Sequence, residues 1–332
     1  LDLQAGSRKL EKAAKDLRLA VGVEAGRFAA PQLEDKAEFL PALAALQAEL
    51  EGFAAVLESQ AERSEGLEKC WQRSQELAVR LAAWRTPTDA GYVRWAEAFT
   101  QSLQLNSTPL DVAEIFRKQM GGHPRAWIFT SATLAVQGNF AHYCAELGLG
   151  EPQSACWHSP FDYQRQAVLY APPGMPDPNS LGFTEAVVAA AFPVLQAAGG
   201  RAFFLCTSLR AMRRVHELLQ ARLQDDGHDF PLLLQGEGSK NDLLDRFRRL
   251  GNAVLVGSQS FWEGVDVRGE ALSLVVIDKL PFAPPDDPVL AARIEQMKKE
   301  GRNAFMEYQL PRAVINVKQG AGRLIRDETD RG

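Results

Sequence analysis

Along residues 1–86, apolar residues recur at steps of three and four. Leu43, Leu46, Leu50, Phe53 and Leu57 fall on one helical stripe, and Leu67, Trp71, Ser74, Ala78 and Leu81 make a second in the same register. Between them lies Ser64–Glu65–Gly66, so the pattern fits either one long helix or a hairpin bent there. Leu10, Ala14, Leu17 and Val21 mark an earlier helix. The opposite faces are rich in Glu, Lys, Arg and Gln, as on solvated scaffold helices. From Thr86 the texture changes, and Tyr92 to Leu105 reads as extended. Beyond it, short apolar runs at 126–129, 167–170, 202–206, 232–234, 253–256 and 272–277 alternate with helical patterns at 184–197, 209–223, 240–250, 288–299 and 303–318. That alternation predicts an α/β domain on a mostly parallel sheet whose strands are buried on both faces. Joints are expected near Thr86 and near Gly150, where Gly148, Gly150 and Pro152 cluster.

With 332 residues there is room for two or three domains. A net charge of −5 argues against a protein that coats nucleic acid by bulk attraction, and leaves room for a narrow groove that tracks one strand. No apolar run, 186–191 among them, is long enough to span a bilayer. The four cysteines, Cys70, Cys144, Cys156 and Cys206, show no metal-ligand spacing and read as free thiols of a reducing cytoplasm. The chain opens on Leu1 with no signal peptide, and reads as an excised piece of a longer cytoplasmic protein.

Ligands of an open parallel sheet collect at the carboxyl ends of its strands. Three predicted strands or helices end in loops suited to that. The first loop, 130–134 (TSATL), places Thr130, Ser131 and Thr133 after an apolar run, where their hydroxyls can relay hydrogen bonds or cap a helix. The second, 257–269, holds three glycines, Glu263 and Asp266, and the adjacent aromatics Phe261 and Trp262. Its glycines permit close backbone approach to a ligand. Glu263 and Asp266 are candidates for ribose hydroxyls; Ser258 and Gln259 are candidates for a sugar-phosphate backbone. The third, 317–326, sets Gln319, Arg323 and Arg326 at i, i+4 and i+7, one face if the helix continues. Two glycines there break a local rule, since each costs about 1 kcal/mol in a helix relative to alanine. Arginine's planar, permanently charged fork suits phosphate oxygens. The plainer reading is a basic helix end favoured by the macrodipole.

TSATL at 130–134, SFWEGVDVRG at 260–269 and QGAGRLIR at 319–326 resemble motifs III, V and VI of superfamily 2 helicases, in the wording of the DinG/XPD family. KLPF at 279–282 with PDDP at 285–288 resembles the family's loop after motif V, and FLCTS at 204–208 resembles motif IV. The likeness runs from Tyr92 to Gly332 in the family's order. It implies a RecA-like, P-loop-NTPase-type parallel sheet domain, the second helicase motor, over 151–332 and incomplete at its end. It also implies the end of a first motor domain at 87–150 and an α-helical part of the arch domain at 1–86. The implied activity is ATP-driven translocation along single-stranded DNA, 5′ to 3′, in repair or replication, with Mg2+ as the nucleotide's metal.

The resemblance makes Arg323 and Arg326 arginine fingers, with Gln319 beside the γ-phosphate. Glu263, Gly264, Asp266 and Gly322 would line the nucleotide. Thr130, Ser131 and Thr133 would couple hydrolysis to DNA, which Thr207, Ser208, Gln259 and Ser260 would hold. Trp262 and Phe282 are aromatics for base stacking or for packing. The family's P-loop, DEAH acid and iron–sulfur cysteines have no counterpart in this sequence, so the piece alone is expected to be inactive. Implied partners are single-stranded or forked DNA and the replication clamp-loader machinery, with no membrane. The rival readings are a non-catalytic binding module, an RNA-directed or translocase-only relative, and an unrelated α/β enzyme such as a nucleotide-sugar transferase.

Overall fold

Helical hairpins form where a polar cap follows an apolar stripe, and Ser64 is such a cap. Its hydroxyl accepts from the Leu67 N–H (3.3 Å), so α3 (Phe39–Glu58) and α4 (Glu65–Arg85) are two helices, and the hairpin is the form adopted. In the computed structural model the described residues are 3–86, 89, 91–122, 125–136, 138–227, 230–258, 261, 265, 267 and 269–332. They divide into two units, residues 1–122, 146–148 and 284–302 in one and 123–145, 149–283 and 303–332 in the other.

In the first unit α1 (Leu3–Ala20) packs on α3, closely enough that a Cβ at Gly6 would meet the Phe53 ring at 2.6 Å. By length and composition α3 could cross a membrane, but Phe39, Leu43, Leu50, Ala54 and Leu57 are buried in this helical layer. Short β1 (Gly26–Ala29) and α2 (Ala30–Glu34) lead into it. The extended region is a hairpin, β2 (Tyr92–Ala98) and β3 (Leu103–Pro109), antiparallel and extended by β1 in the order β1-β2-β3. Ala96 and Ala98 face Leu17, Leu33, Phe39, Leu43 and Trp84. Trp84 Nε1 donates to the Asn106 carbonyl (2.8 Å). α5 (Ala113–Gly121) follows β3, and α11 (Pro288–Lys299) covers the sheet's other face, where Arg27 pairs with Asp287 (2.9 Å).

The second unit is built on a parallel sheet of β4 (Ala202–Cys206), β5 (Leu232–Leu234), β6 (Val254–Ser258) and β7 (Leu274–Ile277), in the order β5-β6-β4-β7. Alternation along β4 sends Phe204 and Cys206 to one face, against α8 (Phe183–Ala198) and α9 (Leu209–Asp226). Phe203 and Leu205 go to the other, against Leu243, Leu244 and Phe247 of α10 (Lys240–Leu250). Helices cover both faces, as a parallel sheet requires. α6 (Ala141–Leu147) and the one-turn α7 (Tyr163–Gln166) precede this core, and α12 (Leu310–Ala321) follows it. The α/β architecture and the preceding helical region are those expected from the sequence.

Three expectations are corrected. Residues 126–129 and 167–170 are not strands, because among the described residues nothing forms a ladder with them. Ile128 is 82% exposed and Leu169 95%. One rung survives: Gly332 donates to the Gln166 carbonyl (2.9 Å) and accepts from the Val168 N–H (2.8 Å). The last predicted helix, 303–318, is a π-helical turn at Phe305–Gln309 followed by α12, with Pro311 in its first turn. It ends at Ala321, so neither Arg323 nor Arg326 lies on a helical face with Gln319.

Candidate nucleotide and nucleic-acid site

All four parallel strands end in polar side chains, and these are joined in two pairs. At the end of β5, Gln235 Oε1 accepts from the Ser258 N–H (2.7 Å) and hydroxyl (3.0 Å) at the end of β6. At the end of β7, Asp278 Oδ1 accepts from the Thr207 N–H (3.0 Å) and Lys279 N–H (2.7 Å), and Oδ2 accepts from the Thr207 hydroxyl (3.3 Å). Burial raises the Asp278 carboxyl above its ordinary value, against the pull of those backbone N–H groups. Burial likewise pushes the Cys206 thiol up, which makes it an inert core side chain. Thr207 is thus held by its partner carboxylate. Ser208 caps α9, accepting from the Ala211 N–H (3.1 Å), which leaves its own proton to donate.

Arg323 and Arg326 reach one point although no helix carries them there. Arg323 Nη1 and Arg326 Nη2 both donate to the Val265 carbonyl, at 2.8 and 3.3 Å. The turn that aims them is built by a residue absent from the candidates above. Asp330 is buried, and its carboxylate accepts from the N–H groups of Arg326 (2.7 Å), Asp327 (2.8 Å) and Gly269 (3.2 Å). Buried Gln166 donates through Nε2 to the carbonyls of Asp327 (3.0 Å), Glu328 (3.1 Å) and Asp330 (3.2 Å). Gln319 lies half-buried in the last turn of α12. Gly322 caps that helix, and a Cβ there would meet the Lys318 carbonyl at 2.8 Å.

The TSATL loop is irregular and local. The Ser131 hydroxyl accepts from the Thr133 N–H (3.2 Å) and meets the Thr133 hydroxyl (3.2 Å), while Thr130 is exposed. It is a turn stabilised by its own hydroxyls, with no helix to cap. Lys318 of α12 donates to the Ala135 carbonyl (3.1 Å) just beyond it. Phe282 stacks on Phe305 with centroids 5.7 Å apart. Gln259, Ser260, Trp262, Glu263, Gly264 and Asp266 lie outside the described residues.

Asp278, Gln235, Asp330 and Gln166 are the residues that reading the sequence missed. Two of them carried a usable signal, since Gln235 and Asp278 follow apolar strands directly. Among the described residues no three metal-ligating side chains gather, and Cys70 on α4 and Cys206 in β4 belong to separate units. The chain's cysteines do not fit an iron–sulfur cluster.

Residues 192–332 match the helicase C-terminal domain family. The chain is 42% identical over 330 residues to the ATP-dependent DNA helicase YoaA of Escherichia coli, an alignment that covers 99% of this chain and 51% of YoaA. It is 37% identical over 235 residues to the ATP-dependent helicase DinG of Mycobacterium tuberculosis, covering 69% of this chain and 34% of DinG. A solved apo XPD structure superposes with a TM-score of 0.61 at 17% identity, over 99% of this chain and 64% of that one. The chain spans about half the length of the curated relatives it matches. The chain thus carries a match to the helicase C-terminal domain family at 192–332, is similar along its length to about half of a YoaA-type DNA helicase, and shares the XPD fold.

Proposed function

We propose that this chain is the arginine-bearing, strand-holding part of an ATP-dependent DNA helicase that moves along single-stranded DNA, 5′ to 3′, in the cytoplasm, during repair or replication. The observation that supports the reading is the convergence of Arg323 and Arg326 on one carbonyl oxygen, two guanidinium forks serving a single electronegative atom. A γ-phosphoryl oxygen makes the same demand with more charge, so the pair fits ATP with Mg2+. The P-loop and the acid of the DEAH type that hold them lie outside this sequence. The nucleotide supplies the phosphoryl group. Arg323 and Arg326 stabilise its developing charge, and Gln319 on the preceding turn of helix positions the oxygen or its water. Gly322 admits close approach, and Glu263, Gly264 and Asp266 complete the nucleotide side of the same loop.

Thr207, Ser208, Gln259 and Ser260 hold the strand from the carboxyl edge of the sheet, where Trp262 and Phe282 offer ring faces. Thr130, Ser131 and Thr133 couple the two, being within reach of α12 through the Ala135–Lys318 contact. In this division residues 1–86 are arch, 87–150 the end of a first motor domain, and 151–332 a second. Forked DNA and the clamp-loader machinery are partners that follow from the family, with no residue here assigned to the latter.

The test compares DNA-stimulated ATP hydrolysis by this chain and by a longer protein that carries it with a P-loop half. We expect turnover in the longer protein alone. Arg326→Ala there is expected to reduce turnover roughly 10³- to 10⁵-fold while single-strand binding is kept. Hydrolysis by the isolated chain, or wild-type turnover in Arg326→Ala, sinks the assignment.

A further inference from the structure

The carboxyl edge of the parallel sheet is chemically lopsided. Beside β5 its charges are mixed, with Glu237, Lys240 and Asp242 within six residues. Beside β4 and β7 they are basic. Arg210 and Arg213 are exposed in the first turns of α9, just past Thr207, and Lys279 follows Asp278. Asp278 itself is turned inward onto Thr207 and two backbone N–H groups.

The basic side also carries aromatic surface. The Phe282 and Phe305 rings lie 29° from parallel, and Asn316 of α12 donates to the Pro281 carbonyl (3.4 Å), which holds that loop against the helix. Phe305 remains 48% exposed, and Leu280 and Met306 are exposed as well. It opens the π-helical turn, a rare conformation that is frequent at functional sites. Charge chooses between occupants. A protein interface is depleted of charge at its apolar core. Ring faces on an edge that also carries arginine and lysine match a polyanion whose bases stack, and the nearby Glu307 is turned onto the Asn303 N–H (3.0 Å).

We propose that Phe305, backed by Phe282, is a base-stacking platform for a single strand whose phosphates lie along Arg210, Arg213 and Lys279. The inference rests on the single-strand reading above and adds Phe305, Arg210 and Arg213 to it. The platform reads no sequence, because every base offers a ring face. It therefore suits a motor that travels over any strand.

Anisotropy of labelled oligo-dT, and of an abasic oligonucleotide of equal length, tests it on the 332-residue chain. Phe305→Ala is expected to weaken oligo-dT binding roughly tenfold or more and to leave abasic binding unchanged. Phe305→Trp should retain affinity. Replacing Arg210 and Arg213 together by alanine should lower the slope of log affinity against log salt by about 1.4, at about 0.7 per phosphate contact on a single strand. Phe305→Ala should leave that slope alone. Unchanged oligo-dT binding in Phe305→Ala, an equal loss on both oligonucleotides, or a tryptophan variant as weak as alanine overturns the platform. An unchanged salt slope in the double arginine variant overturns the phosphate track. Wild-type chain that binds neither oligonucleotide overturns the single-strand reading itself.

Discussion

Asp278 carries an ionisable group where the sheet needs only an acceptor. Both backbone N–H groups fall on Oδ1, and only the Thr207 hydroxyl meets Oδ2. An asparagine keeps every one of these bonds, because its amide can donate to a hydroxyl that turns round to accept. Burial raises the carboxyl's folded pKa above its unfolded value. A raised acid favours the fold below its unfolded pKa and loses that contribution as pH rises through the folded pKa. Asp278→Asn should therefore gain stability relative to wild type as pH climbs from 4 to 8. Thermal midpoints of the two proteins across that range check it, and a difference that shrinks with pH defeats the account. Such residues are hard to find in sequence because their meaning lies in distant partners. Asp330 acts on Gly269, 61 positions away, and Asp278 on Thr207, 71 away. Arg323 and Arg326 stood out for their chemistry, but their convergence comes from the Asp330 turn and from Val265. A helical period does not produce it.

Elements were legible where a cap coincides with a change of period. Ser239 and Asp287 begin α10 and α11 at the positions expected, and Gly251 ends α10 in the left-handed region. Residues 126–129 and 167–170 have strand composition too, but a strand exists only when another pairs with it, and the pairing is not written in the run itself. The join of α8 to β4 is stricter still. Gly199, Gly200 and Arg201 all take positive φ, and the Gly199 and Gly200 N–H groups close the helix on Gln196 and Leu195. A Cβ on Gly200 would sit 2.0 Å from the Asn252 carbonyl, whereas one on Gly251 would meet nothing within 4 Å. Left-handed backbone alone costs a side chain about 1–2 kcal/mol. Gly251→Ala should lose about that amount in urea denaturation, and Gly200→Ala clearly more, because β4 must also move away from the strand beside it. Equal losses would mean the close approach at Gly200 is relieved without cost.

Across the whole molecule the two units have separate hydrophobic cores. Leu17, Leu33, Phe39, Leu43 and Trp84 gather in one, while Phe203, Leu205, Leu243, Phe247 and Leu255 belong to the other. Their topologies differ as well: an antiparallel three-stranded sheet with helices in the first, and a parallel sheet with long crossovers in the second. The sequence did not announce that difference: its change of period near Thr86 falls inside the first unit, ahead of β2 and β3. Nor could it announce that residues 284–302 return to the first unit, since α11 looks like any helix between motifs. Separate cores predict separate unfolding, outside the two-state approximation that small single domains satisfy. Leu43→Ala and Phe247→Ala each empty a fully buried position, at a cost of about 2–5 and 3–5 kcal/mol. In urea, followed by amide hydrogen exchange read segment by segment, Leu43→Ala should lower the transition of residues 3–122 and leave β4 to β7 protected. Phe247→Ala should do the reverse. If each variant instead shifts one common transition by its full cost, the cores are thermodynamically one. An engineered variant could not then loosen the arginine-bearing unit without loosening the helical one.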